Sequence, residues 1–597
     1  MRHTASIRLV LATALLVGGG CSTAPATRGN VERIYLNGDI LTMAGPQPAY
    51  VEALAVDGGK IVFAGDADSA MKLTSSATEV IDLEGKTLLP GFIDTHGHMF
   101  YFGKNLVDAD LFGSKDIADV IGRMKAQISR IPADSWIVGF GYSAKAMTEK
   151  RTPTRAELDT VSADRPVMIV DSSGHLGAGN SALFRATGVS AATPDPQGGN
   201  FSRQPGSTEL LGPMEETALN MVRSQRPAFT GELADKVAIN GAAAWASYGQ
   251  TTAQDCGVGL GTDDIDIVRN AIDKKLLPID VYICAKDSAT DNTVNAAYAV
   301  SADYNPKPGA VAAKLLAARP DLDKRYINRV RLGGIKFWLD GSVDTAWFTQ
   351  PYATNPPGKS GVYTGFRQIS DETLNAAFDK YWTTDMQLNM HMNGDAAADQ
   401  ALHAIDLAIS KYGMRDHRPV FIHASYLRPD QIAHMKAVGA VPSFLMGSLT
   451  SAGDAVSLFW GADRAAHAAA ANTFVREGMP FTISHDAPVS PLPAVIPLID
   501  AAVNRVSASG KVMGPDERIS PYDGLRAVTS MAAYQIHEEG TKGTLETGKL
   551  ADLVILDKNP LKVPPLTIRT IRVMETIKEG KTVYKLSATA TSTTPGA

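Results

Sequence analysis

Cysteine is scarce in this chain: Cys21, Cys256 and Cys284 are the only three in 597 residues. That rules out a disulfide scaffold. Cys256 and Cys284 each sit in or just after an apolar run and are expected as buried thiols, and nothing in the sequence supports a bond between them. An excess of positive charge is also missing. The 57 Lys and Arg against 63 Asp and Glu leave a net charge of −6, with no long basic run. No electrostatic case exists for a nucleic-acid partner. Beyond the N-terminal segment, no stretch has the roughly 18 uninterrupted apolar residues of a membrane helix. There is no internal repeat. What is present is an ordinary globular composition, 44% hydrophobic and 20% charged, in a chain long enough for one large domain and a smaller one.

Residues 1–21 stand apart. Arg2 and Arg8 bracket a charged start, Leu9 to Val17 is a short apolar run, and Gly18-Gly19-Gly20-Cys21 follows. The run is too short to span a bilayer and fits a secretory signal. The small residues ending in Cys21 resemble a lipoprotein cleavage site, although Gly18 replaces the usual larger aliphatic residue. The protein is therefore expected in the periplasm, touching the membrane only through a lipid on Cys21. Plain cleavage to a soluble periplasmic protein is the alternative. Residues 22–31, rich in Thr, Ala, Pro and Gly, read as a linker, and residues 586–597 as a disordered tail.

From Arg33 the pattern is one of strands and turns. Asn37-Gly38, Asp57-Gly58-Gly59, Glu84-Gly85 and Glu579-Gly580 punctuate apolar runs and predict hairpins. Residues 32–88 and 540–585 share this style and are expected to join into one β-sandwich built from both chain ends. Between them, apolar strands alternate with helical stretches. The strand series is Leu88–His98, Thr251–Cys256, Pro278–Cys284, Arg331–Leu339, Gln387–His391, Pro419–His423, Val438–Leu445 and Pro480–Asp486. Eight such strands, over 89–103 plus 233–539, predict a (β/α)8 TIM barrel with its chemistry at the C-terminal strand ends. Residues 104–232 fit poorly between the first two strands and read as an insertion capping the mouth.

Polar side chains end several of these strands. Leu88–His98, LLPGFIDTHGH, carries His96 and His98, which share one side of an extended chain and can reach one ion. Lys336 lies in the fourth strand, His391 ends the fifth, His423 the sixth and Asp486 the eighth. Any one of these is more often a core or rim residue. Together, on separate strands of one series, they form a candidate metal-ligand set.

The motifs PGFIDTHGH, IKFWLDGS, HMNGDAAADQAL, IHA, SHDAPV and GTLETGKLADLVILDKNPL resemble the amidohydrolase superfamily, in its family-3 branch of metal-dependent hydrolases. The resemblance runs from about residue 32 to 585. It implies a distorted (β/α)8 barrel with a terminal β-sandwich. It implies His96, His98, Lys336, His391, His423 and Asp486 as metal-site residues for one or two divalent ions, zinc being the expected metal. If there are two ions, Lys336 is carboxylated and bridges them, because an ammonium cannot ligate a cation. The family pattern is broken at Ile422, where Glu is usual, at Ser484-His485, where Gly-Ser is usual, and at Asn393 and Ala396.

The reaction so implied is a metal-activated hydroxide attacking the carbonyl of an amide or N-acyl small molecule. Asp486 would act as general base and then acid, and His175 would stabilise the oxyanion. Tyr142, Trp338, Asp340 and His485 are candidate pocket walls, although His485 should point away from Asp486 if both lie on a strand. The same fold also serves deamination or ester and lactone cleavage. A catalytically inactive, surface-anchored binding or regulatory protein is the reading from another class. The sequence leaves the oligomeric state open.

Overall fold

The computed structural model describes residues 31–144, 146–171, 176–196, 199–287, 326–356, 359–384 and 386–587. The signal segment with Cys21, all but residue 31 of the linker, the last ten residues of the tail, and His175 lie outside the described residues.

The centre is a curled sheet of eight parallel strands. In order they are Phe92–Ile93, Gln250–Asp255, Asp280–Lys286, Val330–Trp338, Gln387–Met392, Val420–His423, Val441–Leu445 and Thr482–Ser484. Each pairs with its neighbour in chain order, as expected for a distorted (β/α)8 barrel. Strand eight does not run a ladder along strand one. Their seam is joined just past the strand ends: the Asp486 amide donates to the His96 carbonyl at 3.0 Å, and the His98 amide to the Ala487 carbonyl at 2.9 Å.

The LLPGFID stretch is split between two sheets. Thr87–Pro90 runs antiparallel to Leu553–Leu556 in the terminal sheet, and only Phe92–Ile93 enters the barrel. Gly91 marks the crossing, where a Cβ would sit 2.4 Å from Thr251 Cγ2. The terminal sheet has eight strands drawn from both chain ends, with Arg33–Leu41 pairing Tyr50–Asp57, Glu79–Asp82 and Thr87–Pro90. One core under it takes Tyr35, Ile40, Leu54 and Leu88 from the start of the chain and Leu553, Ile555 and Ile577 from its end.

Two turn readings need correction. Asn37-Gly38 does not reverse the chain; Arg33–Leu41 is one strand with an irregularity between Leu36 and Ile40. Lys86 O would lie 2.4 Å from a Cβ on Gly38, so only glycine allows that approach. Glu84-Gly85 does not make a hairpin either, since the strands on both sides pair in parallel with Arg33–Leu41. The cysteines also differ from expectation: Cys256 and Cys284 form a disulfide. Parallel pairing sets Asp255 opposite Ile283, which brings the next two residues side by side with Cα atoms 4.2 Å apart.

A buried ion cluster ties the terminal sheet to the entrance of strand three. Asp280 accepts from the ammonium groups of Lys542 and Lys578, each at 2.7 Å. Lys578 also reaches Asp552 at 2.8 Å and Lys542 reaches Glu538 at 2.6 Å. Burial alone would raise the Asp280 carboxyl, but the two lysines hold it below the usual range. Among the described residues, no helix is long and apolar enough to cross a membrane.

His417 is a second buried titrating group, stacked on Trp382 with centroids 4.8 Å apart. Burial lowers its pKa from 6.5 to about 4. A depressed pKa stabilises the fold above the unfolded value, and that stability is lost as pH falls through the folded one. At about 1.4 kcal/mol per pH unit the effect is roughly 3 kcal/mol. Denaturation between pH 6.5 and 4 should therefore show a decline that His417→Phe flattens; an identical decline in that variant would remove His417 as its source.

Candidate metal centre

Six side chains gather where the barrel strands end. Strand one stops at Ile93, so His96 and His98 occupy the turn after it rather than the strand itself. Asp94 shapes that turn, accepting the His96 amide on Oδ1 at 3.1 Å. The two rings sit 5.1 Å apart between centroids, and each places Nε2 3.1 Å from Asp486 Oδ1.

His423 closes strand six, and Asp486 follows strand eight. Both adopt left-handed backbone, at φ 70° and φ 55°. Such conformations cost of order 1–3 kcal/mol and persist where the surroundings impose them. Here they turn each side chain off the alternation of its strand. Ile422 keeps the barrel interior, packed with Ile93, Tyr282 and Val420, while His423 swings to the mouth. Its Nε2 lies 3.8 Å from Asp486 Oδ2, and its ring is 4.6 Å from that of His391. Ligand atoms of His96, His423 and Asp486 fall within 4.8 Å of one another. Lys336, fully buried, brings Nζ to 3.4 Å from His96 Nε2.

The electrostatics suit a cation. Burial lowers the pKa of Lys336 to about 7, with Asp486 opposing the shift. Burial also keeps His96 and His423 neutral, well below the usual imidazole range. It works against an ionised Asp486, but the imidazoles of His96 and His98 outweigh it and hold that carboxyl well below its usual value. Neutral imidazoles around a carboxylate are the donor types a zinc-like ion takes. Nδ1 of His96, His98, His391 and His423, and Oδ1 of Asp486, are buried with no hydrogen bond. The atom that calls for an explanation is Asp486 Oδ1, a buried carboxylate oxygen approached at 3.1 Å by Nε2 of both His96 and His98 with no hydrogen bond; a divalent ion between them would provide it, whereas the Nδ1 atoms of those rings face away from that point. The residues fit the metal.

The suggested pocket walls fall differently. Trp338 is half-buried at the rim, paired across the sheet with His391, its ring 5.3 Å from Lys336 Nζ. Tyr142 does not reach the mouth. It is fully buried in the insertion core with Leu111, Met147 and Ile169, its hydroxyl 3.3 Å from Thr152 Oγ1. Asp340 is buried as well, because backbone amides claim it: Trp347 N at 3.0 Å, Asn393 N at 2.9 Å and Gly394 N at 2.8 Å. It lies 3.3 Å from His391 Nδ1 and so supports that ligand's turn instead of lining a pocket. His485 is buried beneath the His96–His98 turn, against Trp245. Reading the sequence for ligands missed the supports Asp94, Trp245 and Gln250. Asp94 had a visible signal, lying two residues before His96 at a strand end.

A family model, the amidohydrolase family, matches residues 79–584. This chain belongs to the amidohydrolase family. Within it, the family-3 branch is the one its motifs follow. YtcJ of Bacillus subtilis, an amidohydrolase by name only, is 24% identical over 93% of this chain and 100% of its own length. The N-substituted formamide deformylase of Arthrobacter pascens is 24% identical over 89% of this chain and 95% of its own. An uncharacterized metal-dependent hydrolase from Pyrococcus furiosus shares the fold, with a TM-score of 0.69 and 24% identity, covering 89% of this chain and 100% of that one. Its family makes it a metal-dependent hydrolase, and the cluster at the strand ends, with His96, His423 and Asp486 at its heart, is a group that could hold the metal.

Asp340→Ala leaves three amides without an acceptor, two of them buried, and should lower stability by roughly 3–5 kcal/mol, read by urea denaturation. An unchanged midpoint would show that these amides find other partners.

Proposed function

We propose that this amidohydrolase is an exported hydrolase of carbon–nitrogen bonds, acting on a small amide or N-acyl compound. The observation that carries the reading is the convergence of His96, His423 and Asp486 beside a buried, weakly basic Lys336. A divalent ion held by these groups supplies Lewis acidity and lowers the pKa of the water it holds.

The remaining work falls to the chain. Asp486, ionised, takes the proton of the attacking water and returns it to the leaving nitrogen. Trp338 offers an apolar wall at the rim. Lys336, about half deprotonated near pH 7, is in its amine form nucleophilic toward carbon dioxide; its nitrogen would bond the carbon and release a proton, giving a carbamate oxygen donor for a second ion. The insertion caps the mouth in this reading. Its two junctions support that: helix Met99–Val107 packs antiparallel on Gly231–Ser247 through close contacts at Gly103 and Gly241, so both ends of the insertion lie at the start of the second helix, the end nearest the mouth. The Arthrobacter relative's name points to carbon–nitrogen cleavage and supports the choice over esters. Zinc is the expected metal, and the lipid anchor at Cys21 the expected link to the membrane.

Purified protein tested on N-formyl amines, N-acyl amines, esters, lactones and adenosine should turn over an N-acyl class fastest. It should lose activity on chelation and regain it with zinc, and Asp486→Asn should fall by roughly 10²–10⁴ in kcat/KM. Faster lactone or ester turnover would overturn the substrate class, and no turnover with metal bound would favour the inactive binding protein. In cell fractions, Cys21→Ser should move the protein from the membrane to the soluble periplasmic extract; a wild-type chain already soluble would favour plain cleavage.

A further inference from the structure

His485 directly precedes Asp486 in the sequence, and both of its ring nitrogens have a task. The Ala487 amide lies 3.0 Å from Nδ1. A backbone N–H can only donate, so Nδ1 is the acceptor. Nε2 faces Gln250 Oε1 at 3.3 Å and Asp94 Oδ1 at 3.5 Å. The Gln250 orientation is fixed on its other side, where Nε2 donates to the Pro493 carbonyl at 2.8 Å. An amide oxygen and a carboxylate only accept, so the His485 proton sits on Nε2. The two constraints are independent and agree on one neutral tautomer.

Its neighbours locate the effect. Asp94 also accepts the His96 amide at 3.1 Å and the Trp245 indole at 2.9 Å. The Trp245 ring lies edge-on to His485, with centroids 5.3 Å apart. Gly97, between the paired ligands His96 and His98, rests on this group: a Cβ there would lie 2.7 Å from Asp94 Oδ2, 3.0 Å from His485 Cε1 and 3.1 Å from Trp245 Cζ2. On one side His485 touches the turn that carries Asp486. On the other it touches the carboxylate that shapes the His96–His98 turn.

We propose that His485 is a positioning residue: as the Nε2–H tautomer it bridges Ala487 to Asp94 and Gln250, and so fixes Asp486 relative to His96 and His98. This rests on the metal-centre reading, not on any particular substrate. Residues that orient ligands typically change metal affinity by 10–100-fold.

The test compares His485→Gln, which keeps one acceptor and one donor, with His485→Phe, which keeps only ring bulk against Trp245. Zinc affinity is read by chelator competition and the ligand field by the visible spectrum of the cobalt-loaded protein. The Phe variant should bind zinc about 10–100-fold more weakly with an altered cobalt spectrum, and Gln should stay within about tenfold of wild type. Equal weakening of both variants, or a folded Phe variant with wild-type affinity, overturns the proposal. If the Phe variant does not fold, ¹⁵N-histidine spectra of the wild-type chain still decide: the Nε2–H tautomer is expected, and the Nδ1–H tautomer overturns it. A chain that binds zinc as expected but hydrolyses nothing sinks the hydrolase reading alone, whereas one that takes up no zinc sinks both.

Discussion

Everything at the mouth of this barrel depends on how strand eight meets strand one. The two strands share no ladder. They are held by the Asp486 amide on the His96 carbonyl and the His98 amide on the Ala487 carbonyl. The residues that make these bonds are the ligands themselves or their immediate neighbours. Closure of the sheet and assembly of the site are therefore one event. A ligand set drawn from the two ends of a strand series 390 residues apart can converge only if the sheet curls fully round, and the backbone bonds at the seam record that it does.

That constraint explains why strain is stored here. His423 and Asp486 hold left-handed backbone, each at a cost of order 1–3 kcal/mol. A regular strand would send one of two successive residues inward and the next outward. Ile422 takes the inward place, so His423 reaches the mouth only through a backbone turn. The expense is offset elsewhere in a dense apolar interior and in the buried ion cluster around Asp280, which fixes the far end of the barrel to the terminal sheet. The far end carries paired charges. The mouth carries His96 and His423, held neutral by burial, beside the Asp486 carboxylate.

Much of this was legible from residue order. Apolar runs ending in His or Asp marked the strands and their functional ends, because such barrels carry their chemistry at the C-terminal strand ends, although Gln250, Arg331 and Asn389 show that polar side chains are buried within the strands as well. Where a short motif failed, a neighbour outside the motif decided the outcome. Asn37-Gly38 reads as a turn, but Leu83 and Lys86, in the connection between strands Glu79–Asp82 and Thr87–Pro90, press on Gly38, and the chain there stays within one strand. Tyr142 looked like a pocket wall until the insertion was seen to have a core of its own. Asp340 looked like one until three amides, two of them more than 50 residues distant, were found to claim its oxygens. The disulfide depends on the register of two parallel strands, which local spacing does not encode.

His485 shows how such non-local facts bear on chemistry. Strand alternation does not orient it, because strand eight ends at Ser484 and Asp486 has left-handed backbone. What alternation could not supply is the other side of the contact: a carboxylate and an amide oxygen presented from strands one and two, across the seam. A glycine or serine at that position could not span the gap. The residues that the family resemblance implies as ligands converge at the mouth, yet the parts that hold them are not all implied by that pattern. A site can keep its ligands while exchanging the bonds that aim them, provided each exchange still joins the last strand to the first. The departure at His485 is best understood as one such exchange, because it occurs where closure and coordination share the same few atoms.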